Sequence, residues 1–374
     1  MQGYQDALAR VVDAVVRPAA ETVDRTGTFP QASLDALRAE GLLGLTVAAD
    51  LGGGGEGLRA AAEVIEALAG ACGSTGMVTV MHYAATAIIE AHGPEAVRRQ
   101  VASGEHLSTL AFSEVGSRSH FWATQSPATV IDGRVRLDGQ KSWVTSAAQA
   151  DSYVWSSRPV SAAGPMTLWL VPTDTAGLSV AGGFDGLGLR GNGSTPVTAD
   201  GVEVPESARL GDDGAGLDVA LAVVLPWFLV LSSAFSLGLM EAATAATGSH
   251  LTTTRLDHLG QTLIEQPLTR VDYARMRLTT DTVRALLDDT LSALESGRAD
   301  AMLRVLESKA AAAEAALTVT DLAMKVGGGA AFRKEVGVER AFRDARAARV
   351  MAPTTDALLD FIGRAIGGLP LLDG

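Results

Sequence analysis

Residues 110–145 read LAFSEVGSRSHFWATQSPATVIDGRVRLDGQKSWVT, and this stretch decides the fold. Two short runs within it, residues 129–131 and 135–137, are rich in β-forming residues and are separated by Asp132 and Gly133, a pair typical of hairpin turns. Helical spacing of apolar residues is present before this stretch and returns after about residue 216. The change of period predicts a β-domain between two helical parts of the chain.

The segments on both sides have their own patterns. Further short strands are predicted at residues 153–155 and 166–171, separated by turn residues. The glycine cluster at residues 52–57 predicts a loop, because consecutive glycines lose too much entropy inside a helix or strand. Long Ala- and Leu-rich segments predict helices at 216–248, 262–296, 298–326 and 338–366.

These patterns predict an α+β fold. We expect an N-terminal helical domain over residues 1–105, a middle antiparallel β-domain over 106–210 and a C-terminal four-helix bundle over 211–374. A chain of 374 residues exceeds the usual size of one hydrophobic core, so several packed units are expected.

Composition limits the classes of function. The formal net charge of −13 argues against nucleic acid or an anionic membrane surface as the main partner. The single cysteine, Cys72, excludes an intrachain disulfide and suits a reducing compartment. The longest apolar run, residues 219–231, contains Pro226 and is too short to span a bilayer, and no signal peptide is visible. We therefore expect a soluble cytoplasmic protein, and no metal site.

The stretch 110–145 resembles the flavin-binding β-domain of the acyl-CoA dehydrogenases. Other landmarks of that family follow in the right order over almost the whole chain, namely residues 29–30, 41–45, 52–57, 72–75, 81–82, 188–205, 327–332 and 339–344. The resemblance implies the same three-domain layout, bound FAD and the activity of a flavin-dependent oxidoreductase.

The resemblance also implies which residues of this chain surround the flavin ring. A flavin ring is flat and apolar with polar edges, so it needs an aromatic wall and a few hydrogen-bond donors. By resemblance, Trp143 supplies the wall and Thr145 donates to the reactive N5 edge. Phe112 and Ser113 line the pyrimidine side, and Ser119 lies on the pyrophosphate.

The remaining flavin contacts in this family come from a neighbouring subunit. Gly328 and Gly329 fit a close approach of the backbone to the adenosine half, since glycine has no Cβ. Arg255 falls close to the family's arginine that reaches a partner's pyrophosphate, and Thr354 and Asp356 flank the adenylate end. A homodimer or homotetramer is therefore expected.

The catalytic glutamate of the family is missing. Family members remove an α-proton with a glutamate while N5 takes a hydride from the β-carbon. Of the two positions where the family places that glutamate, one is Ala352 here and the other is Phe228. The arginine next to the second position is replaced by Leu229, and Pro226 predicts a bent or newly started helix there.

Two histidines are candidates for proton exchange in its place. Histidine titrates near neutral pH. By resemblance, His82 lies on the helix that floors the acyl pocket, where it could also be an ordinary structural residue. His120 replaces the acidic residue of the family's Gly-Ser-Asp motif, and otherwise it would stabilise a loop.

Three functions are compatible with this sequence. The first is an oxidoreductase acting on an acyl thioester, carried by coenzyme A or a carrier protein, but not ordinary β-oxidation. The second is a flavin-dependent monooxygenase on the same fold, and the third is a non-redox lyase or a structural homologue. Transfer of electrons from a thioester to the flavin would distinguish the first from the other two.

Overall fold

We analysed a computed structural model, which describes residues 3–117 and 120–372 of the chain, apart from the side chain of Glu335. The N-terminal part is helical. Its helices are α1 Tyr4–Val11, α2 Arg17–Thr26, α3 Gln31–Ala39, α4 Leu58–Ala71, α5 Gly73–His92 and α6 Glu95–Ala102. The predicted glycine loop separates α3 from α4. Helix α5 is buried along most of its length, so it forms the centre of this part.

The middle part contains two four-stranded sheets that pack face to face. Their strands are β1 Ser108–Ala111, β2 Ala128–Ile131, β3 Arg134–Val144, β4 Ser152–Ser157, β5 Thr167–Pro172, β6 Leu178–Val180, β7 Thr195–Pro205 and β8 Arg209–Leu210. The sheet orders are β1-β4-β5-β8 and β2-β3-β7-β6. Trp155, Trp169 and Leu137 lie in the shared core.

The strand pairing is antiparallel with one exception. Strand β1 runs parallel to β4, and Ser108 is opposite Ser152 in the register. A parallel pair requires a long connection, which the residues between Ala111 and Ser152 provide, since they include β2 and β3. The predicted antiparallel β-domain is therefore mixed at this edge.

The C-terminal part is a helical bundle. It consists of α7 Gly216–Val219, a π-helical segment Ala220–Val224, α8 Leu225–Thr253, a small hairpin of β9 Arg255–Leu256 and β10 Gln261–Thr262, α9 Pro267–Glu295, α10 Ala301–Ala331, α11 Val338–Val350 and α12 Thr355–Ile366. Helix α10 packs against α8, α9, α11 and α12. The predicted helix over 338–366 is divided before Thr355, because Pro353 disfavours helical backbone at the residue before it.

Within the described residues, one helical segment, Gly216–Thr253, is long and apolar enough to cross a membrane by length and composition. This corrects the judgement from sequence that its apolar run is too short. However, 72% of its most apolar window is buried inside the protein, where α8 packs against α4, α5 and α10. The segment is a core helix of the bundle.

Candidate active site

A cleft lies where the β-domain meets helices α5 and α8. Its lining combines aromatic and aliphatic side chains with two serines: Met81, Leu110, Phe112, Ser113, Phe121, Ser142, Trp143, Ala220, Val224, Leu225, Phe228, Ala352 and Pro353. We call the side formed by Phe112, Ser113, Ser142 and Trp143 the β-wall. The side formed by Phe228, Ala352 and Pro353 is the helical wall.

The β-wall is built from two adjacent backbone segments. The N–H of Ser142 donates to the carbonyl of Ser113 at 2.8 Å, which joins the end of β1 to β3. Strand β3 loses regular register between Lys141 and Val144, and Trp143 has a φ of 57°. This left-handed backbone is costly for a bulky residue, and such strain is concentrated at functional sites. With this backbone conformation, Trp143 lines the cleft and is 73% exposed.

A buried ion pair supports the β-wall. The ammonium of Lys141 lies 2.8 Å from a carboxylate oxygen of Glu114 and also donates to the carbonyl and hydroxyl of Ser156. Glu114 accepts two further hydrogen bonds, from the backbone N–H groups of Gln125 and Ser126. Burial opposes the charge on Glu114, but Lys141 and these donors lower its pKa. Since Glu114 follows Ser113 and Lys141 precedes Ser142, the pair fixes both segments of the wall.

Sequence reasoning missed this ion pair, although a signal was available. Val135 and Leu137 point into the β-domain core, and Lys141 continues the same period of two along β3. A lysine on the inward face of a strand must be paired when buried. Glu114, in the same signature stretch, is the acid that could satisfy it.

One of the predicted flavin contacts, Thr145, is not part of the cleft lining. Thr145 is buried, its hydroxyl lies 3.0 Å from that of Ser194, and its side chain is not part of the lining. Its role as the N5 donor stays a prediction. Ser119 lies outside the described residues. Its described neighbour Ser117 has a buried hydroxyl with no hydrogen-bond partner among those residues.

The helical wall brings together Phe228 and Ala352, the two positions at which the resemblance leads us to expect the glutamate. Phe228 is on the first turn of α8, and Ala352 is on the segment between α11 and α12, yet both line the same cleft. Pro226 stands at the start of α8, directly after the π-helical segment Ala220–Val224. A π-turn accommodates the missing N–H of proline and re-aims the residues that follow. A new helix does not start at Pro226, because the backbone is helical without a break from Gly216 to Thr253, and Pro226 follows a π-helical turn within that helix.

His82 has the contacts of a structural residue. It is completely buried, its Nε2 lies 3.1 Å from the Leu43 carbonyl, and its Nδ1 accepts from the N–H of Ser108 at 3.2 Å. Burial lowers its pKa to about 4. Because both ring nitrogens are engaged and the side chain does not line the cleft, we withdraw His82 as a candidate base. It joins the loop after α3 to the start of β1.

His120 is exposed and lies beside the cleft rather than in it. Its Nδ1 is 2.8 Å from the Ser117 carbonyl, which accepts from that nitrogen. The imidazole meets the Trp122 ring edge-on with 4.9 Å between centroids, and Trp122 in turn contacts Phe121 of the cleft lining. His120 thus reaches the cleft lining through the Trp122 ring, and its role in proton exchange stays a prediction.

The residues predicted to face a partner are not among those that line the cleft. Arg255 is exposed on β9 and donates to the Gly260 carbonyl. Gly328 has a φ of 51° and, like Gly329, is exposed, and a Cβ on either would meet no atom within 4 Å. Thr354 caps α12 by accepting from the N–H of Ala357, and Asp356 is exposed in the first turn of that helix.

Comparisons with known proteins identify the family of this fold. Residues 2–104, 109–202 and 214–367 match, in this order, the N-terminal, middle and C-terminal domains of acyl-CoA dehydrogenase. The chain belongs to the acyl-CoA dehydrogenase family. Members of this family are flavin-dependent oxidoreductases, so the resemblance stated from the sequence is confirmed.

Individual relatives are similar over nearly the whole chain. The chain is 26% identical to a probable acyl-CoA dehydrogenase, YngJ, of Bacillus subtilis over 91% of each sequence. It is 30% identical to an L-prolyl peptidyl-carrier-protein dehydrogenase of Pseudomonas fluorescens over 87% of each. The butyryl-CoA dehydrogenase structure from Megasphaera elsdenii superposes with a TM-score of 0.90 at 22% identity over 97% of each chain, which shows the same fold.

The residues of the cleft fit a flavin ring. Trp143 and Phe112 offer aromatic surface, Ser113 and Ser142 offer polar groups at its edge, and the unpartnered hydroxyl of Ser117 lies in the loop that follows. Gly116, with a φ of 86°, keeps the backbone of that loop open. In the described parts of the chain, no cluster of three or more His, Cys, Asp or Glu side chains could hold a metal ion.

Proposed function

We propose that this protein is an FAD-dependent oxidoreductase that acts on an acyl thioester, carried by coenzyme A or by a carrier protein, in the cytoplasm. The supporting observation is that Trp143, Phe228 and Ala352 line one cleft. The aromatic side chain that would stack on the flavin ring thus lies in the same cleft as Phe228 and Ala352, the positions at which the resemblance leads us to expect the catalytic glutamate. The 30% identity to a dehydrogenase of a carrier-protein-bound prolyl group supports the wider choice of thioester.

The bound FAD would supply a hydride acceptor. The β-wall would hold its ring between Trp143 and Phe112, and the helical wall would hold the acyl group against it. Closure of the apolar lining would exclude water from the reacting atoms. Because Phe228 and Ala352 have no proton-accepting group, we propose that the enzyme does not perform ordinary β-oxidation of unactivated acyl-CoA.

His120 is the side chain that we propose for proton exchange. The exposed His120 contacts Trp122, which in turn contacts Phe121 of the cleft lining. The imidazole is oriented by the Ser117 carbonyl, which accepts a hydrogen bond from Nδ1 and so favours the Nδ1–H tautomer. A His120→Gln variant should bind FAD like the parent and reduce it more slowly with substrate.

We propose that the flavin site is shared between subunits of a homodimer or homotetramer. Arg255 and the Gly328–Gly329 backbone are exposed, and they lie apart from the cleft of their own chain. Helix α9 also exposes Leu268 and Leu278, which a neighbouring subunit would cover. Sedimentation should give a dimer or tetramer at micromolar concentration. A monomer that retains full flavin occupancy would contradict the shared site.

The experiment that tests the function is anaerobic mixing of the FAD-loaded protein with acyl thioesters on coenzyme A and on a carrier protein. Bleaching of the flavin absorbance with either class supports the proposal. Absence of bleaching, together with rapid oxygen-dependent oxidation of a substrate by the chemically reduced flavoprotein, would identify a monooxygenase instead. A stable protein that takes up no FAD would reject both.

A carboxylate restored at Ala352 tests whether the helical wall still faces a thioester. Pro353 holds the backbone of Ala352 extended, so the double variant Ala352→Glu with Pro353→Gly is the fairer test, and Pro353→Gly alone is its matched control. Burial beside the flavin should raise the pKa of the new carboxyl toward the range useful for proton abstraction. Bleaching of the double variant by a saturated acyl-CoA, without bleaching of the control, is the expected result.

A further inference from the structure

Lys309 is a buried cation that the proposed chemistry does not use. It lies in the middle of α10 and is 1% exposed. Its ammonium donates to the carbonyl of Pro353 at 2.9 Å and to that of Met351 at 3.3 Å. Within the described residues no carboxylate lies at ion-pair distance from it. A buried ammonium without a carboxylate is expensive, so its two carbonyl acceptors must compensate much of that cost.

The two acceptors define what Lys309 holds in place. Met351 and Pro353 flank Ala352, whose side chain lines the cleft. At one end of the segment between α11 and α12 the N–H of Met351 donates to the Ala347 carbonyl as the last bond of α11, and at the other end Thr354 caps α12. Hydrogen bonds to carbonyls on both sides of one residue fix the direction in which that residue's side chain points. These bonds do not depend on the identity of residue 352.

We propose that Lys309 is a positioning residue that holds the segment 351–353 against α10 and so directs the side chain of residue 352 into the cleft. This inference rests on the proposed function in one respect: the placement of residue 352 matters for the reaction only if the cleft is the active site. Lys325, further along the same helix, makes a useful contrast. It is exposed and pairs with Asp272 at 2.7 Å, so its removal leaves the segment untouched.

The test uses a thiol at position 352 as a reporter. In an Ala352→Cys variant the natural Cys72 is buried and serves as the unreactive background, measured in the parent. Replacing Lys309 by Met keeps the apolar stem and removes the donor. We expect the labelling rate of the cysteine by a neutral thiol reagent to rise by at least about tenfold, as a lost charge-assisted hydrogen bond should permit local opening.

Three matched variants separate positioning from a general loss of structure. Lys325→Met should leave the labelling rate at position 352 unchanged. A second reporter in the β-domain, Ala128→Cys, should label at the same rate with and without Lys309→Met, whereas a merely structural role would accelerate both reporters. Lys309→Arg keeps charged donors and should restore most of the protection at position 352.

The proposal is overturned if folded Lys309→Met leaves the cysteine at position 352 as slow to react as before, or accelerates both reporters equally. Should Lys309→Met fail to fold, Lys309→Gln is measured in its place against the same two reporters, and the same two results decide. These experiments need neither FAD nor substrate. A failed test of the proposed function therefore leaves this result standing, and the reverse also holds.

Discussion

The two walls of the cleft are anchored by different chemistry. The β-wall depends on an ion pair between side chains, in which Lys141 and Glu114 are both buried and satisfy one another. The helical wall depends on Lys309, which binds the backbone carbonyls of Met351 and Pro353. In the first wall the signature of the family is preserved in sequence. In the second, Phe228 and Ala352 occupy the two positions at which the resemblance leads us to expect the glutamate.

This difference shows how a site can keep its shape while its chemistry changes. A side chain that binds another side chain constrains the identity of both, because loss of either leaves a buried charge unpaired. A side chain that binds backbone carbonyls constrains only the path of the chain. Replacement of the residue between those carbonyls, Ala352, therefore leaves both hydrogen bonds in place.

The largest effect is expected from breaking the anchor of the β-wall. Lys141→Met should destabilise the protein by about 3–5 kcal/mol, because it leaves the Glu114 carboxylate buried without its partner. Adding Glu114→Gln should recover part of this loss. Urea unfolding followed by circular dichroism measures the stability of both variants. Lys325→Met, which removes an exposed lysine, is the control and should be almost as stable as the parent. A loss below about 1 kcal/mol in Lys141→Met would show that the ion pair does not support this wall.

A second comparison concerns pH. A buried side chain beside each wall contributes to stability, and the two contributions change in opposite directions with pH. His82 supports the start of β1, and burial lowers its pKa to about 4 from 6.5. The unfolded chain therefore binds this proton more readily. As pH falls from 6.5 to 4, the His82 contribution to stability decreases by up to about 3 kcal/mol.

Asp344, on the helix α11 that leads to the helical wall, behaves in the opposite way. Burial raises its pKa to about 6 from 3.8, although the N–H of Leu189 lowers it. The folded protein therefore binds this proton more readily, and its contribution grows by about 3 kcal/mol as pH falls from 6 to 3.8. The loss from rising pH is complete above pH 6.

The two contributions should nearly cancel in the parent, and single variants should reveal them. Relative to the parent, His82→Gln should become more stable on acidification from pH 6.5 to 4, and Asp344→Asn should become less stable. Chemical denaturation at several pH values gives both slopes. Parallel slopes for all three proteins would show that neither side chain has the pKa that its burial implies.

A smaller effect is expected at the surface of the β-wall. Trp143→Ala should leave the stability of the FAD-free protein almost unchanged, since the indole is largely exposed. It should weaken FAD binding by about 1–3 kcal/mol through loss of the stacked ring. Fluorescence titration with FAD measures the change, and the exposed Val130→Ala on β2 is the control. Unaltered FAD affinity would move the flavin ring away from this wall.

The smallest effect concerns the end of the helical wall. Thr354 caps α12, and Thr354→Ala should cost about 1 kcal/mol of stability. Thr354→Ser keeps the capping oxygen and should retain that stability, which a thermal melt of the FAD-free protein detects. If Thr354 also contacts the adenylate end of FAD, the Ala variant should lose FAD affinity as well. A loss of affinity without any loss of stability would mean that capping is not its main role.

The sequence predicted the fold because the change from helical to strand period in residues 110–145 is a local property of the chain. The order of landmarks then identified the family, and the family explains why the aromatic of the β-wall, Trp143, lies in the cleft. The parallel pairing of the edge strand β1 with β4 was not predicted, because the direction of pairing depends on where the long connection between the two strands returns to the sheet. The contacts of Thr145 and His82 could not be predicted for a similar reason, since their hydrogen-bond partners are distant in the sequence.

By itself, the sequence determined the period of each segment, the absence of a carboxyl group at Ala352 and Phe228, and the presence of a lysine on the inward face of β3. Only the tertiary structure decided that Ala352 and Phe228 share one cleft and that Lys141 and Lys309 are buried beside its two walls. The physical reason is the distance along the chain over which each property is set. Periodicity arises from neighbours along the chain, whereas burial and the partner of a buried charge are set by elements that meet only when the chain has folded.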